Sequence, residues 1–247
     1  MTEIEQDKSN EHFRFGVTAN FPGFLQDEGV YNEVSKTIKG GADFFYDQIS
    51  KTMHGSSTFL AARLDSFIKQ FGMGVAIKQF GMGVASLADF GREDVMNLMA
   101  GGKFYSDAPA IVFRSMMDSY EPNNPLIRKL AQLVEERNGR LRLPVLVTGF
   151  DVVPYKEDKD YGLDIIARKD FRALQDEKLK YEYGAFSTID ENGLPNFKED
   201  GERNWFTRDK GLSRIMLWKN FDLETNLMGD LAKSKRGGRI IIVRDSV

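Results

Sequence analysis

The stretch NNPLIRKLAQLVEERNGRLRLPVLV, residues 123–147, holds one helix and one strand and sets the fold class. Asn124 stands where an N-cap is expected, and Pro125 follows at the first helical position, where a missing N–H costs nothing. Leu126, Ile127, Leu130, Leu133 and Val134 then recur at helical spacing, and Gly139 sits just past the end. Beyond it Leu141, Leu143, Val145 and Val147 alternate, the period of a strand with one buried face. Immediately upstream, APAIVFRSMM, ending at Met117, reads as a buried strand. Strand, helix and strand in this order predict an α+β domain.

Downstream the chain stays strand-like. LDIIARKDF is one candidate, and KLKYEYGAFSTI places Leu179, Tyr181, Tyr183 and Ala185 on one side, with Asp190–Gly193 (DENG) closing a hairpin. LSRIMLWKNFDL puts Ile215, Leu217, Phe221 and Leu223 on a common face, and GRIIIVRD is a terminal strand, apolar on both faces. Upstream the periodicity is helical: Val34, Ile38, Ala42, Phe45 and Ile49 in one segment, Phe59 to Phe71 in a second, and REDVMNLMA in a third that stops at Gly101-Gly102. Phe13, Phe15 and Val17 suggest a short strand ended by Pro22-Gly23. The expected architecture is therefore α+β: a polar arm with a short strand over 1–30, a helical Gly/Ala/Phe-rich region over 31–103, and a β-rich domain over 104–247 with antiparallel sheet and one packed helix.

The formal net charge of −3 supplies no overall attraction to nucleic acid or anionic membranes. With no cysteine, thiolate chemistry, disulfides and zinc–cysteine sites are excluded. The first twelve residues, MTEIEQDKSNEH, are polar and acidic, unlike a signal peptide, and Lys69 and Lys78 interrupt the best apolar run. These features lead to the expectation of a soluble, intracellular protein without a membrane span.

Residues 68–85 read IKQFGMGVAIKQFGMGVA, nine residues repeated without a change. Nine residues make about 2.5 helical turns, and nine is odd against the strand period of two, so in either state the second copy faces away from the first. One explanation is a duplication tolerated where extra length is harmless. The other is a two-sided assembly element, in which Gly72, Gly74 and Ala76, then Gly81, Gly83 and Ala85, allow close backbone approach between neighbours. Both put the repeat at the periphery, so deleting Ile77–Ala85 is expected to leave the β-rich domain folded.

No catalytic signature emerges. His12 and His54 are the only histidines, no G-x-S-x-G surrounds a serine, and G-M-G-V-A-I lacks the third small residue of a dinucleotide fingerprint. Glu157, Asp158 and Asp160 alternate with lysines as in a solvated linker. No cofactor or metal is expected. Near the C-terminus, basic and aromatic residues interleave: Arg203, Trp205, Arg208 and Trp218, followed by Lys233, Lys235, Arg236 and Arg239. That mixture suits single-stranded nucleic acid, where bases stack on rings and phosphates meet cations. It also suits a solvated hairpin with its aromatics in the core.

The order APAIVFRSMM, NNPLIRKLAQLVEERN, NGRLRLPVLVTGFDVVPY resembles the strand–helix–strand part of tail-tube and tube-adaptor (baseplate) proteins of contractile phages and related injection systems, over roughly residues 105–155. In that family the sheets of adjacent subunits join into a ring, and extra N-terminal segments contact neighbouring rings. The resemblance implies a non-enzymatic structural subunit of a ring or tube layer. Its implied partners are copies of itself and neighbouring structural proteins, met in the cytoplasm during assembly and then in the virion. The competing expectation is single-stranded nucleic-acid binding by the C-terminal region.

Overall fold

The computed structural model describes residues 23–24, 28–38, 44–71, 82–118, 121–155, 162–207, 210–224 and 230–244. Its elements run β1 (Gly23–Phe24), α1 (Glu28–Thr37), β2 (Phe45–Asp47), β3 (Thr52–His54), α2 (Thr58–Phe71), β4 (Met82–Val84), α3 (Glu93–Ala100), β5 (Ser106–Phe113) and α4 (Asn124–Asn138). There follow β6 (Val145–Pro154), β7 (Leu163–Gln175), β8 (Tyr183–Ile189), β9 (Pro195–Phe197), β10 (Arg203–Phe206), β11 (Leu212–Leu217), β12 (Leu223–Glu224) and β13 (Ile241–Arg244). The class is α+β.

An eight-stranded sheet in the order β7-β6-β5-β11-β12-β10-β8-β9 forms the body. It is antiparallel except between β10 and β12, which run parallel. Laid flat, β7 and β8 would stand about 29 Å apart at about 4.8 Å per strand. Residues 176–182 join them and include a 3-10 turn at Glu177–Lys180, which extends only about 2 Å per residue. That connection is too short for a flat sheet, so the sheet curls.

Strand alternation sorts the core. On β5, Ile111 and Phe113 face one apolar cluster with Phe59 and Ala62 of α2, Leu130 and Val134 of α4, and Val145 and Val147 of β6. Ala108, Ala110 and Val112 face the other, with α3, Phe186 and Trp205. Two helices, α2 and α4, therefore cover one face where one packed helix was expected. A second, three-stranded sheet, β1-β13-β4, places the C-terminal strand between two N-terminal ones. Apolar packing thus crosses residue 103 in several places, with Ile240 and Ile242 in a third cluster beside Val34, Leu60 and Leu64.

Several local expectations hold and others shift. Gly139 adopts φ +73 and its N–H closes α4 on the Glu135 carbonyl at 2.8 Å, the left-handed ending that glycine allows. The N-terminus of α4 is displaced by one residue: Asn124 is helical, and Asn123 Oδ1 accepts from Leu231 N at 3.3 Å instead of capping the helix. At α2, Ser57 Oγ accepts from Leu60 N (3.1 Å), which satisfies one amide left free by the helix start. β6 begins only at Val145, after a cis Leu143–Pro144 bond. The expected helix through Phe45 and Ile49 is corrected to a hairpin, β2–β3, with Ile49 at its turn. The face expected from Leu179, Tyr181, Tyr183 and Ala185 is broken: Leu179 is buried in the turn before β8, Tyr181 and Tyr183 are exposed, and Phe186 is the residue of β8 that is buried. The Phe13–Val17 strand lies outside the described residues.

The repeat is divided between two elements. Ile68–Phe71 of the first copy end α2, and Met82–Val84 of the second form β4, paired with β13 through Val84↔Ile242 and Gly83↔Val243. Met82, Gly83, Val84 and Ala85 are buried within the chain, so the close of the second copy is core and not periphery. A side chain at Gly83 would begin 3.5 Å from Asp65 Oδ1. Asp65 precedes Phe71 by six residues, about 9 Å of helix, so the chain must double back that far to reach β4. In a chain lacking Ile77–Ala85, only three residues, at most about 10 Å, would have to turn and cover that return. Either the last turn of α2 or β4 must give way. We expect the deletion to lower stability by about 3–6 kcal/mol, the loss of two buried side chains. An unchanged denaturant midpoint would contradict this placement of the second copy.

Candidate functional site

The sheet is interrupted where its chemistry concentrates. Thr148 pairs with Arg172 and Phe150 with Ala167, so four residues of β7, 168–171, stand opposite Gly149 alone. Gly149 has φ +69, and a Cβ there would lie 2.2 Å from the Asp170 carbonyl oxygen, so only glycine permits this bulge. The bulge presents Arg168 and Asp170 to the polar stripe of α2. Arg168 grips Asp170 through Nε (2.9 Å) and Nη2 (2.7 Å), and the same Nη2 lies 2.8 Å from Asp65. Lys69 bridges the two carboxylates at 2.9 and 3.2 Å. Two residues before Asp65, Arg63 meets the buried Asp151 of β6 at 2.8 Å.

Asp65, Lys69, Arg168 and Asp170 border a cleft of about 600 Å³ whose lining also includes Val84, Leu87, Pro109 and Leu146, with Arg137, Arg172 and Glu191 among its charged residues. Two of its acids, Asp65 and Asp170, are committed to ion pairs. Burial alone would raise the Asp170 carboxyl, but Arg168 and Lys69 outweigh it and hold the group down to about 2. The cluster is therefore an ionic clamp between α2 and the β7 bulge. Among the described residues, no group of three or more metal-ligating side chains is arranged to hold an ion, and no helix is long and apolar enough to cross a membrane.

The C-terminal candidates separate into interior and surface. Trp205 is buried, and its indole donates to the Tyr181 carbonyl at 3.0 Å. Trp218 is half-buried against Tyr105, with ring centres 5.4 Å apart. Arg203 is buried too, bonded to the carbonyls of Phe221 (2.7 Å) and Phe90 (3.3 Å) and stacked 4.7 Å over Phe186. Burial draws its pKa down to about 10. Trp205 and Arg203 are therefore committed to the interior and are not available as the expected stacking platform, while Trp218 is half-buried. Lys233 is half-buried, and its carbonyl accepts from Arg214; Lys235 and Arg236 are exposed and Arg239 is half-buried. Arg208 lies outside the described residues, as do Gly72, Gly74, Ala76 and Gly81 of the repeat. Gly83 and Ala85 are in the chain's own core and offer no surface to a neighbour.

Sequence reading missed the clamp, because its members stand on elements a hundred residues apart. The signal available was Gly149 inside an otherwise regular strand, a mark of a bulge.

No protein-family model matches the chain, no curated protein matches it, and no solved structure matches it.

The clamp makes an acid-stability prediction. A carboxyl lowered from 3.8 to about 2 on folding contributes stability that is complete above about pH 5 and is lost as pH falls through 2. Asp170→Asn should therefore lower Tm by a constant amount from pH 8 to 5, and the gap should close near pH 2. A gap that stays constant down to pH 2 would show that Asp170 is not held by the clamp.

Proposed function

We propose that the chain is a non-enzymatic structural subunit that joins copies of itself head to tail in a ring or tube layer of a viral tail or injection-type particle. The observation that supports this reading is the pair of unlike ends of the eight-stranded sheet. Among the described residues β7 pairs only with β6, and β9 pairs only with β8, so each end strand has an unpaired edge.

The two ends differ in charge. β7 and the adjoining α4 with its following turn carry Arg128, Lys129, Arg137, Arg140 and Arg142, then Arg168, Lys169 and Arg172, against four carboxylates. Residues 182–202, which include β8 and β9, carry Glu182, Asp190, Glu191, Glu199, Asp200 and Glu202 against Lys198 alone. Two different, oppositely charged surfaces on one chain favour heterologous contact, which closes rings or builds tubes. Charge complementarity also steers encounter and fixes register. The bulge and exposed charges on β7 guard that edge against indiscriminate strand pairing, so partner choice falls to charge.

The resemblance to tail-tube and tube-adaptor proteins supports the same reading. By that resemblance, extra N-terminal segments contact neighbouring layers, assembly takes place in the cytoplasm and the product lies in the virion.

Native mass measured against concentration and salt tests the proposal. Wild type should form multimers that dissociate as salt rises. Charge reversal at the basic end (Lys169→Glu with Arg172→Glu) or at the acidic end (Glu199→Lys with Glu202→Lys) should each give monomers. Combining both in one chain should restore multimers. A wild-type chain that stays monomeric at millimolar concentration and low salt would refute the reading.

A further inference from the structure

The β2–β3 hairpin and the loop before β13 form a second charged cluster that the assembly reading leaves unused. Asp47 Oδ1 accepts from Ile49 N (2.8 Å), which fixes the turn, and Phe45 stands opposite His54 with ring centres 4.8 Å apart. The loop Ser234–Arg239, SKRGGR, lies against this hairpin. Arg236 stacks 5.1 Å over the Phe45 ring, and Arg239 donates to the carbonyls of Arg236 (3.1 Å) and Gly238 (2.7 Å). Neither guanidinium has an ion-pair partner among the described residues. Asp47 is the one carboxylate of the cluster, and its Oδ2 is 3.6 Å from His54 Nε2.

We propose that Arg236, Arg239 and His54 form a binding site for a phosphoryl oxyanion. Two guanidiniums without a carboxylate partner among the described residues, with an imidazole against the same Phe45 ring as Arg236, match an anion with several oxygens better than a single counter-charge. The loop is accessible, since Lys235, Arg236 and Gly237 are exposed. The stack on Phe45 and the carbonyl bonds of Arg239 hold both guanidiniums in place before any ligand arrives, which reduces the ordering cost of binding. Local charge agrees: burial first, then Arg239 and Arg236, lower the His54 pKa against the pull of Asp47. A bound oxyanion would reverse the effect of the arginines, and the imidazole would take up a proton as the third cation.

Because His12 and His54 are the only histidines, proton NMR of their ring C–H signals reads the site directly. In chloride buffer, titration with inorganic phosphate or with an eight-residue oligothymidylate should raise the His54 pKa by about one pH unit and leave His12 unmoved. Arg239→Ala should raise the His54 pKa in the free protein, by removing a like charge, and abolish the further rise with either probe. Arg236→Ala, at an exposed position, should abolish the rise with the fold intact, as judged by an unchanged amide spectrum. A micromolar, strongly salt-dependent response to the oligonucleotide with a millimolar one to phosphate would assign the group to a nucleic-acid backbone. The opposite order would assign it to a small phosphate. No response of His54 to 20 mM phosphate (about twenty times a millimolar Kd) or to the oligonucleotide would overturn the proposal. So would a response in both arginine variants equal to that of the wild type.

Discussion

Asp107 and Arg214 face each other at the centre of the eight-stranded sheet, the carboxylate fully buried and the guanidinium nearly so. All five donors of Arg214 are used: Nε and Nη2 on Asp107 (2.8 Å each), Nη2 also on the Ser56 carbonyl, and Nη1 on the carbonyls of Asp230 and Lys233. The Asp107 amide donates to Ser56 Oγ at 2.7 Å, and the Ser56 amide donates to Ser234 Oγ at 2.8 Å. Tyr105 closes the set by donating to the Ser56 carbonyl and accepting from Lys235 N; burial and Asp107 push its phenol up to about 12. A buried guanidinium without its partners would cost several kcal/mol, so four distant segments must arrive together for any of them to be stable. The loop before α2, the strands β5 and β11, and the turn at 230–235 are fixed by this one demand. Burial pulls the Asp107 carboxyl upward, and only Arg214 and Ser56 oppose it.

The pairing irregularities of the sheet serve its charges. Between β5 and β11 the register shifts so that three residues, 108–110, oppose Ile215 alone, which accommodates Pro109 and brings Arg214 to the side of Asp107. Between β6 and β7 the four-residue bulge does the same for Arg168 and Asp170. Pro109 and Gly149 both line the cleft, so both irregularities open onto one concavity. Of the ion pairs of α2 with β6 and β7, Lys69–Asp170 is half-exposed and adds little stability, whereas Arg63–Asp151 and Arg168–Asp65 are largely buried, where attraction is offset by desolvation. Their effect is on position: Arg63, Asp65 and Lys69 leave one angular setting of α2 over the sheet, and Phe59 and Ala62 then fill the apolar space beneath it.

What the sequence revealed followed from local periodicity. α2, α3, α4, β5, β7 and the Asp190–Gly193 turn were readable because each carries its own apolar pattern or turn residues. The β2–β3 hairpin was not, because three-residue strands are too short to show a period and Phe45 and Ile49 happen to fall at helical spacing. Composition misled at the C-terminal end for a related reason. Arg203 and Trp205 look like a surface suited to nucleic acid, yet their partners, the Phe90 and Tyr181 carbonyls, lie far away in sequence. Periodicity says that a face is buried; it does not say against what.

The repeat carries that limit furthest. Its first four residues, in one copy, end α2, and its sixth to eighth, in the other, form β4. Each is held in its state by its neighbours. Phe59, Leu60, Leu64 and Phe67 carry a helical face into Ile68, whereas β13 supplies a pairing edge to Met82–Val84. β13 can do so because it is apolar on both sides: Ile240 and Ile242 pack with α1 and α2, while Ile241 and Val243 pack with α3 and the large sheet. A strand of that kind is stable only between two layers, and β1 and β4 complete one of them. The state of residues 82–84 is thus decided by residues 241–244. By the same pairing, the N-terminal helical region buries its core only when the C-terminal strand is in place.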